Sequence, residues 1–201
     1  MKKNDYHHGN LKEEFLQIAF DYIAHHDIDA LTLKVLSDAT STSRSAIYRH
    51  FENKDALVET MIIQAFESCD CMLSGILKDK EKPLVDRFYV AGKAYVENAR
   101  DNPNLYRLMF GKKYAHIRAE IIDLKDDDCH GFGALKLALL EGQESGLLEK
   151  ENHYHQALVI WASFHGLASL MIDGFMDVEE IYEKIYDDMF QSLMGGIINP
   201  K

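Results

Sequence analysis

The 201-residue chain reads as an all-α protein of about nine helices, a short helical head followed by a longer helical body. Three observations lead there. Apolar residues recur three and four apart in one segment after another, the period of an amphipathic helix. No segment alternates in the manner of a half-buried strand. Only 3 Pro occur, so long helices are permitted.

In chain order, Asn10 is a good N-cap with Glu13 three residues on, and Leu11, Phe15, Ile18, Ala19, Tyr22 and Ile23 form one stripe of a first helix. His25 and His26 close it near the negative end of its dipole. Residues 27–30 connect. Thr32 caps a short helix with Leu33 and Leu36 inward, and Thr40-Ser41-Thr42 is a polar break. Ser43 caps a second short helix over 44–50, with Ile47 and Phe51 four apart. Asn53 caps a long fourth helix carrying Leu57, Met61, Ala65, Phe66, Cys69, Met72, Leu73 and Ile76. A charged link at 78–82 precedes a helix over 84–99, and Asn102-Pro103 opens another short one. Residues 111–130 are ambiguous, and their acidic run at 126–128 reads as a solvated loop. Residues 135–148 read as a helix ended near Gly146. Residues 157–172 are apolar nearly all round, which predicts burial on more than one side. Val178, Ile181, Tyr182, Ile185, Tyr186, Met189, Phe190 and Leu193 make the last stripe, stopped by Gly195-Gly196.

Composition narrows the function classes. A 47% hydrophobic and 27% charged chain is neither disordered nor fibrous. No apolar run reaches the length of a bilayer span, so no membrane partner is expected. With 3 Cys and a charged start without a secretory leader, the thiols are expected to be reduced and the protein cytoplasmic. The net charge of −11 argues against nucleic acid until it is divided: residues 1–54 hold 7 basic and 8 acidic side chains, the remainder 15 and 25. Arg44, Arg49 and Lys54 stand against Glu52 alone, with His50 beside them, a small basic patch suited to phosphate.

Residues 32–51 have the layout of a helix-turn-helix: short capped helix, polar turn, second short capped helix. In that arrangement the second helix offers its first side chains to base edges in the major groove. Arg44 and Ser45 lie in that first turn, and an Arg can bond guanine bidentately. Tyr48, Arg49, His50 and Lys54 suit phosphate, which positions without reading sequence. Lys54 also opens the fourth helix, whose N-terminal amides favour an anion.

The stretch Ser43-Arg44-Ser45-Ala46-Ile47-Tyr48-Arg49-His50-Phe51, followed by Lys54 and Leu57, strongly resembles the tetracycline-repressor (TetR) family of transcriptional regulators. Tyr6-His7-His8-Gly9-Asn10-Leu11, Asn102-Pro103-Asn104-Leu105-Tyr106 and Trp161-Ala162-Ser163-Phe164-His165-Gly166 resemble one branch, whose ligand domain carries a Trp-x3-His-Gly motif. The resemblance implies DNA contacts at Lys34, Arg44, Ser45, Tyr48, Arg49, His50 and Lys54, with the Ala46 methyl facing thymine. It implies a DNA-binding domain over 1–54 and a ligand-binding and dimerisation domain over 55–201. It also implies a homodimer built on the last two helices and an unknown small-molecule effector. In the turn this chain departs from the family's usual Ala-Gly-Val, having Thr40-Ser41-Thr42; a Ser at positive φ costs about 1 kcal/mol against Gly.

Aromatic and Met residues of the body (Phe66, Phe88, Tyr95, Tyr106, Met109, Phe110, Trp161, Phe164 and His165) either fill a core or line an effector cavity, and spacing does not separate the two. Ala162, Gly166 and Ser169 form a small-residue stripe which, with Ile181, Ile185 and Met189, is expected to be a dimer seam. No cofactor or metal is expected: Cys69 and Cys71 are two apart on a helix, which is poor metal geometry, and Cys129-His130 and His153-Tyr154-His155 add no ligand set. His7-His8 read equally as a loose arm or a minor-groove contact. The expected function is a ligand-responsive repressor of a pseudo-palindromic operator, not an enzyme. The alternatives are a DNA-binding regulator without a ligand or with a protein partner, and a helical enzyme using His165 as a base.

Overall fold

The structure, a computed structural model, describes residues 11–121, 131–175 and 181–199. Among them are ten α-helices: α1 (Leu11–His25), α2 (Leu33–Ala39), α3 (Arg44–Tyr48), α4 (Lys54–Leu77), α5 (Leu84–Asp101), α6 (Pro103–Phe110), α7 (Ala115–Ile121), α8 (Gly131–Glu144), α9 (His153–Ile172) and α10 (Tyr182–Gly195). Two 3-10 turns, Ile28–Ala30 and Lys112–Tyr114, accompany them. The all-α expectation holds, and the ambiguous stretch supplies the second turn and α7. The described residues contain no strand, only an isolated antiparallel bridge between Leu148 and Ile198. Asn10, the His7-His8 arm, the acidic run at 126–128, Cys129-His130 and Val178 lie outside the described residues.

The chain forms two compact units. The first gathers Asn102–Ile121 with the chain up to Ala65; the second holds Phe66–Asp101 and the chain beyond Ile121. A single cut after residue 54 therefore does not describe the packing. α6 lies on α1 and buries Tyr106, Leu108 and Met109. The Asn104 amide donates to the carbonyls of Ile23 at 3.0 Å and His26 at 3.4 Å, satisfying orphan groups at the end of α1. α4 contributes residues to both units.

In the first unit Phe15, Leu16, Ala19 and Ile23 of α1 close over Leu31, Leu36, Ile47 and Phe51, all buried. The expected caps are made: Thr32 Oγ1 accepts from Val35 N at 3.2 Å, Ser43 Oγ from Ala46 N at 3.3 Å and Asn53 Oδ1 from Ala56 N at 2.9 Å. Between α2 and α3 the Thr40 hydroxyl donates to Leu36 O at 2.9 Å and meets the Thr42 hydroxyl at 2.7 Å. Ser41 takes φ +53°, in the left-handed region. Substitution S41G should raise the unfolding free energy by up to about 1 kcal/mol, because the Cβ penalty goes while Gly's added chain entropy offsets part of the gain. A higher urea midpoint at unchanged m-value is the expected reading; a lower midpoint would show that the two hydroxyl contacts depend on Ser41.

In the second unit α9 packs on α5 and α8. By length and composition α9 could cross a bilayer. Its residues Gln156, Ala157, Ile160, Phe164, Leu167, Ala168 and Met171 are buried within the second unit. Gly92 lets α9 approach: a Cβ there would stand 2.4 Å from the Phe164 ring, which also stacks on Tyr186 at 5.7 Å. α8 runs from Gly131 to Glu144 rather than over 135–148. Gly146 at φ +76° turns the chain, and Leu148 leaves the helix to bridge Ile198. α10 ends at Gly195, where both glycines keep ordinary backbone angles and the amides of Ile197 and Ile198 bond Met194 O at 3.1 and 2.9 Å.

Within that unit Arg87 is 3% exposed. Its Nη2 donates to Glu141 Oε1 at 2.5 Å, and its Nη1 to Glu141 Oε2 at 3.2 Å and to Leu77 O, the last carbonyl of α4, at 2.8 Å. Lys80 also reaches Glu141 Oε2, at 2.5 Å. The Arg87 guanidinium, then Lys80, hold the Glu141 carboxyl below the usual carboxylate range against the opposing effect of burial.

Candidate nucleic-acid interface

α3 is short because Ser43 starts it and Arg49 caps its end, with His50 N bonding back to Ile47 O at 3.0 Å. Within it only Ile47 is buried. Arg44, Ser45 and Arg49 are exposed, Ala46 is half-buried, and Tyr48 is 57% exposed, which is unusual for a tyrosine beside a core. A helix with one residue anchored and the others outward is a ridge. Lys34 is exposed on α2. His50 is exposed and lies edge-on to Phe15, its ring centre 5.9 Å away. Phe51 is core, with Lys12 over its ring at 5.8 Å.

A shallow groove of about 690 Å³ separates this ridge from the starts of α2 and α4. It is lined by Thr32, Lys34, Arg44, Tyr48, Asn53 and Lys54, with Glu52 as its acid. Lys34, Arg44 and Arg49 have no ion-pair partner among the described residues. Elsewhere Lys80, Arg87, Lys93, Arg100, Lys113 and Lys184 each face a carboxylate, while the exposed Lys12, Lys78, Lys112 and Lys150 pair with none among the described residues, so it is the clustering of Lys34, Arg44 and Arg49 about α3 that sets them apart. The Ser45 hydroxyl is 2.8 Å from that of Ser43, so part of its capacity is used locally.

Lys54 is placed differently from the other expected contacts. Its Nζ donates to Ile28 O at 2.6 Å and Asp29 O at 3.1 Å, and burial pushes its pKa down. The Asp29 carboxylate meets Lys113, which holds it below the usual range. Sequence spacing gives no sign of these contacts, which join residues more than twenty apart.

The nine expected effector contacts do not fall in one unit. Tyr106, Met109 and Phe110 belong to the first unit through α6, where the Tyr106 and Phe110 rings lie 4.8 Å apart. Phe66, Phe88, Tyr95, Trp161, Phe164 and His165 belong to the second. There Tyr95 Oη and His165 Nδ1 are 2.9 Å apart, Trp161 lies 5.6 Å from the His165 ring, and Phe88 and Phe164 are buried. The expected seam residues face outward: Ala162 and Ile181 are exposed, and Gly166, Ser169, Ile185 and Met189 half-buried. Val159 and Leu170, 59% and 45% exposed, extend the α9 stripe and were findable at the same three- and four-residue spacing.

A helical head with an outward α3 beside a cation-lined groove defines a helix-turn-helix protein. The sequence profile described as "Bacterial regulatory proteins, tetR family" matches residues 15–61, and "Tetracyclin repressor-like, C-terminal domain" matches residues 88–193. The chain belongs to the tetR family of bacterial transcriptional regulators. It is 38% identical over 53 residues to a protein of Escherichia coli K12 named "Probable acrEF/envCD operon repressor", which covers 26% of this chain and 24% of that one. It is 31% identical over 103 residues to "Nucleoid occlusion factor SlmA" of Aliivibrio fischeri MJ11, covering 51% and 52%. The chain thus spans between a quarter and half of the length of these relatives. Among solved structures, a protein of unknown function from Rhodococcus sp. RHA1 superposes with a TM-score of 0.80 at 23% identity, covering 98% of this chain and 100% of that one. A TetR family transcription regulator from Marinobacter aquaeolei VT8 gives 0.67 at 14% identity, covering 95% and 97%. These two likenesses concern the fold.

Proposed function

We propose that the chain is a repressor that binds a pseudo-palindromic operator as a homodimer and is released by a small apolar molecule. The observation that carries this reading is the set of exposed cations without ion-pair partners, Lys34, Arg44 and Arg49, around an outward α3. On this reading Arg44, Ser45 and Ala46 face base edges, while Lys34, Tyr48, Arg49 and His50 hold phosphate and fix the register. The exposed stripes of α9 and α10 supply the seam, which sets two heads about 34–36 Å apart or a multiple of that. An effector in the second unit acts through α4. To move the population of head spacings from about 1:99 to 99:1 it needs about 5.5 kcal/mol of preference between them. The protein works where its DNA is, in the cytoplasm, as a regulator and not as a catalyst. The relative named an operon repressor supports the sign of regulation.

Selection of duplexes from a random pool tests this reading. A recovered motif with two half-sites, bound by two chains, is expected, with affinity falling steeply in salt. Failure of every duplex to enrich, with a monomer at working concentration, would overturn it.

A further inference from the structure

The turn Lys112–Tyr114 belongs to the first unit, with the helix-turn-helix, although α4 and α5 lie between the two in the chain. It is firmly held. Gly111 N donates to Arg107 O at 2.8 Å, which ends α6. From α7, Arg118 Nη1 donates to Met109 O at 3.0 Å and Gly111 O at 2.6 Å, satisfying the carbonyls from which the turn starts. Tyr114 is buried and anchors the turn in the unit. Lys112 and Lys113 are left exposed side by side. Lys113 meets the Asp29 carboxylate of the α1–α2 loop and cancels its charge. Lys112 has no ion-pair partner among the described residues. The chain beyond residue 54 carries 15 basic against 25 acidic side chains, so an exposed lysine pair on a rigid turn is a local exception to it.

The turn stands at the end of the head suited to phosphate. Asp29, held at its carboxylate by Lys113, is held at its carbonyl by Lys54, at 3.1 Å. Lys54 opens α4 and gives a second N–H to Ile28 O at 2.6 Å, which leaves its third donor for an anion. Asp29 thus sits between the two lysines. Lys112 is the neighbour of Lys113, and its long stem brings the same stretch of DNA backbone within reach. The tetR-family profile that matches the head ends at residue 61, well short of this turn. We propose that the Lys112–Lys113 turn is a second backbone contact of the operator complex: Lys112 holds a phosphate outside the bases read by α3, and Lys113 keeps Asp29 from repelling the same strand. The partner is duplex DNA through its phosphates, so the contact adds affinity and salt dependence and no base preference.

The proposal rests on the DNA-binding reading and deepens it. The full-length chain is titrated with a duplex selected from a random pool and extended by flanking DNA on each side. K112A should weaken binding several-fold and lower the slope of log affinity against log salt by about 0.9 for each chain bound. K112R should keep the wild-type slope. K78A removes an exposed lysine of the second unit that likewise has no ion-pair partner among the described residues, and it should change neither quantity. Trimming the duplex to its two half-sites should abolish the difference between wild type and K112A. A K112A slope equal to that of wild type, an equal loss in K78A, or a loss that survives trimming overturns the proposal. In that event a lowered slope for R49A in the same titration shows that the DNA-binding reading stands without it. A wild-type chain that binds no duplex overturns both.

Discussion

Replacing Glu141 by Leu should lower the unfolding free energy by about 3 kcal/mol. That is the low end of the range for breaking a buried ion pair, because the carboxylate side chain is 32% exposed while that of its partner is 3%. The loss arises at Arg87. Without Glu141 its guanidinium keeps one bond, to Leu77 O, and remains buried with only the more weakly coupled Asp79 carboxylate to offset its charge. Its Nε is already without a partner, so little further accommodation is available. Lys80 is 69% exposed on its side chain, and its removal should cost less than about 1 kcal/mol. Urea unfolding of the two variants checks the contrast. Equal, small losses would show that water reaches Arg87 when Glu141 is gone.

The same pair sets a pH dependence. The folded-state pKa of Glu141 lies below its ordinary value of 4.5. The stabilisation is therefore complete above that ordinary value and is lost as pH falls through the lower folded one. Wild-type stability should fall over that acid range, and the Leu variant should lack this component. A wild-type and a Leu variant that fall in parallel below pH 4.5 would assign the acid loss to other carboxylates.

Arg44→Ala should cost about 1–3 kcal/mol of DNA affinity and relax the base preference at one position of each half-site. Arg44 is exposed in the first turn of α3, lines the groove and makes no ion pair among the described residues, so its fork is available for guanine. Arg49→Ala differs in kind: it should weaken all sequences alike and lower the salt slope by about 0.9, as loss of a phosphate contact does. Competition titrations against single-base variants of a selected duplex separate the two. A uniform loss from Arg44→Ala would assign Arg44 to the backbone.

What could be read from the sequence was local. Thr32, Ser43 and Asn53 announce helix starts because a cap acts within three residues, and Ile47 and Phe51 announce the buried side of the second short helix for the same reason. The strain at Ser41 was legible through the family resemblance, because the family's usual turn has Gly where this chain has Ser41. What escaped was long-range. Lys54 read as a phosphate contact at the start of the fourth helix, and its carbonyl partners at Ile28 and Asp29 lie too far away in sequence to be announced. Arg87 has no charge partner near it in sequence, and only folding brings Glu141 across from α8. α6 carries the same aromatic and Met pattern as the second unit, yet packs on α1, and the pattern alone does not tell the two settings apart. α8 reaches back to Gly131, four residues before its expected start, and Gly131, a poor helix former, lies close against Leu73 and Asp70 of α4, a contact that helical spacing does not announce.

On the proposed function, two copies of the ridge from Arg44 to Arg49 enter successive major grooves of one duplex. Methylation interference at guanine N7, an atom that faces only that groove, measures this directly on a selected duplex. Two patches of interference about 10–10.5 base pairs apart, or a multiple of that, are expected, and the patches should weaken with Arg44→Ala. Binding that is indifferent to N7 methylation, or a single patch without its twin, would contradict it.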